Sequence, residues 1–112
     1  MTNKAVAKSL KETASLIELT GGNQFRSRAI SNAARTIERL ENPVQELIES
    51  GTLTDIRGIG KGLADQIQEL ISRGSFALRD DLLGGIPPGL LDILAIKGLG
   101  AKKVRELWKT LG

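Results

Sequence analysis

The segment Ile56-Arg57-Gly58-Ile59-Gly60 returns 40 residues later as Ile96-Lys97-Gly98-Leu99-Gly100. At the same offset Leu53 matches Ile93, Ala64 matches Val104 and Ile67 matches Leu107, so eight positions agree in chemical type. The alternative, two apolar-glycine stretches alike by accident, does not account for the matching flanks. A unit of this kind is a short helix, a glycine hairpin and a second helix, and it leaves no room for strands. No stretch after Gly51 alternates with period two for long enough to form one.

The residues before the first copy carry the helical period. From Thr2 to Thr20 the apolar residues Val6, Leu10, Ala14 and Ile17 recur every three or four positions, and Gly21-Gly22 stops the run. From Phe25 to Leu40 the same spacing places Phe25, Ala29, Ala33 and Ile37 on one expected core face, with alanines that allow close packing. Asn42-Pro43 predicts the cap and first position of a short third helix carrying Val44, Leu47 and Ile48, closed by Gly51. Ser75 to Leu83 predicts a linking helix, and Gly84-Gly85-Ile86-Pro87-Pro88-Gly89 is the strongest break in the chain. The expected fold is all-α, a small helical bundle with tandem helix-hairpin-helix units. Residues 1–83 make the first unit and 84–112 the second, whose 29 residues are too few for an independent core.

Composition removes whole classes of chemistry. With neither Cys nor His among 112 residues there is no disulfide, Cys/His metal site, thiol nucleophile or histidine acid–base pair. The aromatic residues are Phe25, Phe76 and Trp108, too few for a base-stacking platform. No apolar run approaches membrane-spanning length, and the start of the chain lacks a signal-peptide core, so the chain reads as intracellular. The net charge of +3 is too small to argue for nucleic acid, but from Lys97 onward five cations face one anion. That basic end is either a solvated face or a contact surface.

The hairpin itself has a chemical meaning. Glycines allow left-handed backbone and let a ligand approach closely, and the hairpin runs into a helix N-terminus with unpaired N–H groups and a positive dipole end. Such a place binds phosphate without side chains. Gly58, Ile59, Gly60, Lys61 and Gly62 form the first candidate site, and Gly98, Leu99, Gly100, Ala101, Lys102 and Lys103 the second. Ile59 and Leu99 are the expected buried anchors, and the lysines supply counter-charge. A glycine turn joining two core helices, as in a helical protein-interaction domain, is the plainer alternative.

The pattern resembles the helix-hairpin-helix motif, which implies DNA binding without sequence preference. The resemblance extends over the chain. Gly22-Asn23-Gln24-Phe25-Arg26-Ser27-Arg28-Ala29, Ala33-Ala34-Arg35-Thr36-Ile37, Leu53 to Gly62, Ile86 to Leu91 and Ile96 to Val104, in that order, are similar to the amino-terminal part of bacterial and archaeal family X DNA polymerases. The resemblance implies a lyase-type domain holding the 5′-phosphate side of a gap, with Arg26 and Arg28 as contacts to that phosphate, and a second hairpin that opens the fingers region. It implies gapped or nicked DNA as partner, a role in base excision repair, and a monomer associated with the nucleoid. The catalytic aspartates and magnesium ions of such polymerases belong to a palm domain. This chain has no Asp-x-Asp pair. Asp80-Asp81 are adjacent and read as part of a solvated helix face. Its end at Gly112 reads as the edge of a piece of a longer polymerase. No cofactor is expected, apart from a monovalent cation that the hairpin carbonyls could hold.

Some family members also cleave a sugar-phosphate remnant through a lysine Schiff base. The resemblance places that lysine at Gln66 and its supporting lysine at Gly62, and an amide forms no imine. Lys61 is the one substitute nearby, so a weak 5′-deoxyribose-phosphate lyase is the alternative enzymatic reading. Borohydride trapping on an abasic substrate checks it. The unmodified chain is expected to give no adduct, and Gln66→Lys is the decisive change. Robust trapping by the unmodified chain that Lys61→Ala abolishes would reverse the assignment.

Overall fold

The computed structural model describes residues 1–86 together with Glu106 and Lys109, which are both helical. The second hairpin, Gly98 to Lys103, and most of the unit expected over 84–112 lie outside the described residues. Among the described residues there is no strand. Five α-helices follow one another: α1 (Asn3–Leu19), α2 (Gln24–Glu38), α3 (Val44–Ser50), α4 (Lys61–Arg73) and α5 (Ala77–Gly84), with a 3-10 turn at Leu53–Asp55 before α4. The described part is all-α, as the sequence predicts.

Helix α1 starts where Thr2 caps it, its hydroxyl accepting the Ala5 N–H at 3.1 Å. It ends at Gly21, whose φ of 74° is left-handed. The Gly22 N–H then reaches the Ile17 carbonyl at 2.8 Å and the Gly21 N–H the Glu18 carbonyl at 3.1 Å, the paired closure of a Schellman end. A side chain at Gly22 would meet Ile17 Cγ2 at 2.9 Å, so the reversal into α2 is fitted to glycine. The buried stripe of α1 holds the expected Val6, Leu10, Ala14 and Ile17 and adds Ala7, Thr13, Leu16 and Leu19. It is wider than predicted because α1 packs against α2, α4 and α5 at once.

Helix α2 corrects the expected core face. Phe25 is 80% exposed and Ala29 is exposed, whereas Ser27, Ile30, Ala33, Ala34 and Ile37 are buried. The steps from 25 to 29 to 33 to 37 are all four residues, and each advances about 40° around the axis. Ile30, Ala33, Ala34 and Ile37 follow the three-and-four alternation that stays on one face. The N-terminus of α2 is capped by Asn23 Oδ1, which accepts the Phe25 N–H at 2.8 Å.

The cap of α3 is also not where the sequence places it. Pro43 occupies the N-cap position and offers no side-chain bond; instead Asn3 Oδ1, at the start of α1, accepts the Val44 N–H at 2.7 Å. Asn3 Nδ2 donates back to the Asn42 carbonyl at 2.8 Å, so one amide ties the α2–α3 turn to α1.

After α4 the chain turns at Gly74 into α5, which starts two residues later than predicted. Phe76, at its N-cap, is fully buried. Glu69 Oε1 accepts the Ala77 N–H at 3.4 Å, while Arg73 bridges Glu69 and Asp80, both at 2.8 Å. The hydrogen bond from Ser75 and the Arg73 guanidinium hold the Asp80 carboxyl below its ordinary value. Gly84 is the last residue of α5, so the predicted break begins at a helix end, and Pro87-Pro88-Gly89 lie outside the described residues.

The corrected α2 face is open to test by thermal unfolding. Ile37→Ala, at a fully buried site, is expected to cost about 2–5 kcal/mol. Phe25→Ala is expected to stay within about 0.5 kcal/mol of the parent, because nothing packs on an exposed ring.

Candidate nucleic-acid interface

The first hairpin is built from its turn outward. The Ile59 N–H closes a turn onto the Ile56 carbonyl at 3.0 Å, with Gly58 at the third position at φ 91°. This is the place at which a type II turn requires left-handed backbone. Ile59 is 2% exposed and belongs to the main core with Leu53, Ile67 and Leu70, so it anchors the hairpin as predicted.

Gly60 behaves differently from the expectation that both glycines serve the turn. Its φ is −83° with extended ψ, which any residue adopts, and a Cβ built there meets nothing within 4 Å. Gly62 is equally open. The chain conformation therefore does not require glycine at 60 or 62; what glycine provides is an unobstructed approach to the backbone. Gly60 is the N-cap of α4 and makes no side-chain cap bond, so the first N–H groups of a 13-residue helix face outward with no protein acceptor supplied by the cap. Exposed Arg57 and Lys61 flank this opening, and no ion pair engages either among the described residues. The arrangement suits an anion that touches backbone first and lysine second.

Gly58, Ile59, Gly60, Lys61 and Gly62 are thus one continuous structure. Gln66 lies half-buried on α4 and carries an amide. Arg26 and Arg28 are separate from this structure. They sit on α2, which packs chiefly on α1, and two residues of helix turn them about 200° apart. Arg26 is in the first turn, where its N–H reaches Asn23 Oδ1 at 3.4 Å. Arg28 instead borders a groove between α1 and α2 together with Lys11 and Arg35. The sequence reading missed this groove, although the signal was present: from Gln24 to Ile37 helix α2 has three arginines and no acid. Among the described residues no group of His, Cys, Asp or Glu could hold a metal ion, and no helix is long and apolar enough to cross a membrane.

Comparison with known proteins agrees with the hairpin. A family profile described as a helix-hairpin-helix domain matches residues 1–76, which takes in α1 to α4 and the first hairpin. Over all 112 residues the chain is 34% identical to the DNA polymerase/3′-5′ exonuclease PolX of Bacillus subtilis (strain 168), and it spans 19% of that protein's length.

The two hairpin glycines are expected to separate in a stability assay. Gly58→Ala forces a side chain into left-handed backbone and is expected to cost about 1–2 kcal/mol. Gly60→Val meets open space in an allowed conformation and is expected to cost less than about 1 kcal/mol, the size of an N-cap preference. Chemical denaturation of the two variants gives the comparison.

Proposed function

The chain belongs to the helix-hairpin-helix domain family, and on that premise we propose that it binds DNA through backbone phosphates, as part of a family X DNA polymerase that acts at gaps or nicks during repair synthesis. The observation that carries this reading is the open N-terminus of α4. Gly60 is neither strained nor crowded, so its lack of a side chain serves whatever approaches the backbone. A glycine turn that merely joined core helices would need Gly58 and would leave positions 60 and 62 free to carry side chains.

Contacts of this kind register charge and backbone spacing and carry no base information. Similarity to a protein named as polymerase and exonuclease supports placing the module at a site of DNA synthesis. Nucleotidyl transfer itself would belong to other parts of such a protein, since this chain has no Asp-x-Asp pair for two metals. The module works as a monomer, with the second hairpin, Gly98 to Lys103, gripping a second stretch of backbone. Lyase chemistry is disfavoured because Gln66 supplies no amine and Lys61 is exposed, outside any desolvated pocket.

At a gap, a terminal 5′-phosphate carries more charge than an internal one, and Arg26 is the residue assigned to it, with its planar two-pronged donor. Arg28 points to the other side of α2 and contributes elsewhere.

Competition between gapped duplexes with and without the 5′-phosphate tests the proposal. The phosphorylated ligand is expected to bind tighter by about 1–2 kcal/mol, one charge-assisted contact, and Arg26→Ala to remove the difference. Equal affinity of the parent chain for both ligands would refute gap recognition. Gly60→Val is expected to weaken binding to every sequence alike.

A further inference from the structure

Resting on the DNA-binding reading, we infer that the groove between α1 and α2 is a second, separate phosphate site that takes the sugar-phosphate backbone of a nucleic acid strand between Arg28 and Arg35. A cavity of about 440 Å³ opens there, and Lys11, Ser15, Glu18, Arg28, Ser31 and Arg35 border it. Arg28 and Arg35 are one heptad apart, so they project from one side of α2 within about 20° of each other and about 10.5 Å apart along the axis. Arg39, which caps the helix, continues the same stripe.

The cations of this groove are available. Arg73 is held by Glu69 and Asp80, and Arg79 lies 3.5 Å from Glu12, but neither Arg28 nor Arg35 has a carboxylate partner among the described residues. Lys11, across the groove, is bound to Glu38 at 2.7 Å, and that bond holds the Glu38 carboxyl below its ordinary value. Glu18 is the one acid on the rim. It lies near the Arg28 end, where its Oε1 accepts the buried Ser27 hydroxyl at 3.3 Å. The Ser15 and Ser31 hydroxyls, one from each wall of the groove, have no hydrogen-bond partner among the described residues, and both can donate to phosphate oxygens.

The lining also selects the kind of anion. Ala14 is its one apolar residue and it holds no aromatic ring, so a nucleobase has nothing to stack on and an acidic peptide has no apolar anchor. A phosphodiester backbone needs neither. The groove therefore adds contacts of the same sequence-blind kind as the hairpin, on a different face of the molecule from Arg26.

The test measures the affinity of the full chain for a fluorescent gapped duplex across a salt series. Removing two phosphate contacts with Arg28→Gln and Arg35→Gln together is expected to reduce the log–log salt slope by about 1.8. Both residues are exposed, so the variant should keep the parental circular dichroism and melting curve. Lys4→Gln with Lys8→Gln removes the same charge from exposed positions of α1 outside the groove and is expected to change the slope by less than half as much. An equal drop in both double variants would make the effect one of net charge and overturn the site. An unchanged slope in the arginine variant, with Gly60→Val still weakening binding, would overturn the groove and leave the hairpin reading standing. Loss in the arginine variant with none in Gly60→Val would support the groove and refute the hairpin reading. Displacement of the DNA by a decaglutamate peptide as effectively as by a ten-phosphate oligothymidylate would overturn the assignment to phosphodiester.

Discussion

Burial of the α1 stripe is the interaction on which the other elements depend. Helices α2, α4 and α5 all pack on α1, and Val6, Leu10 and Ile17 share one core with Ile30, Ile37, Ile59, Ile67 and Phe76. Each such side chain contributes about 1.5–3 kcal/mol when fully buried. The ion pairs Lys11–Glu38 and Arg73–Asp80 are exposed and screened by solvent, so they contribute little and cannot set the arrangement. Asn3 refines it by tying the α3 entry to the first turn of α1.

The hairpin inherits its rigidity from that core. Ile59 sits in it between two exposed glycines, so the amides at the start of α4 are held in place by a hydrophobic contact on the far side of the chain. Ordering a flexible loop around a phosphate would consume much of the binding energy, and a hairpin fixed in advance avoids that cost. Gly58 makes the turn and Ile59 fixes it, while Gly60 leaves it accessible. These are separate physical tasks, although the residues are adjacent.

Much of this was legible in the sequence. Element number and order follow from the three-and-four spacing and from glycines at helix ends, and the anchoring role of Ile59 follows from an apolar residue enclosed by glycines. Three things were not legible, each for a physical reason. The α2 face was misplaced because Phe25 and Ala29 are apolar at a regular four-residue spacing, yet that spacing drifts around the axis and carries both off the side on which Ile30, Ala34 and Ile37 are buried. The α3 cap was assigned to Asn42 because local rules do not see Asn3, which precedes Val44 by 41 residues and reaches it only through the fold. The groove was invisible because Arg28 was assigned with Arg26 to one terminal phosphate and Arg35 to no site, and only the packing of α1 against α2 supplies the opposite wall.

Net charge explains little here; the placement of unpaired cations explains more. With an excess of only +3, long-range attraction to a polyanion is modest. Affinity must then come from several short-range phosphate contacts, each shallow and each blind to sequence. A single hairpin offers a few amides and a lysine, and the gain from the counterions that each phosphate contact releases shrinks as bulk salt rises. On the proposed reading repetition answers this limit, because a second site on the same chain binds at high effective concentration once the first is engaged. The repeat of Ile56–Gly60 at Ile96–Gly100 is the proposed second site in the sequence, and the α1/α2 groove is the proposed one within the first unit itself. On that reading the module gains affinity by adding contacts along the backbone, and such contacts carry no base information.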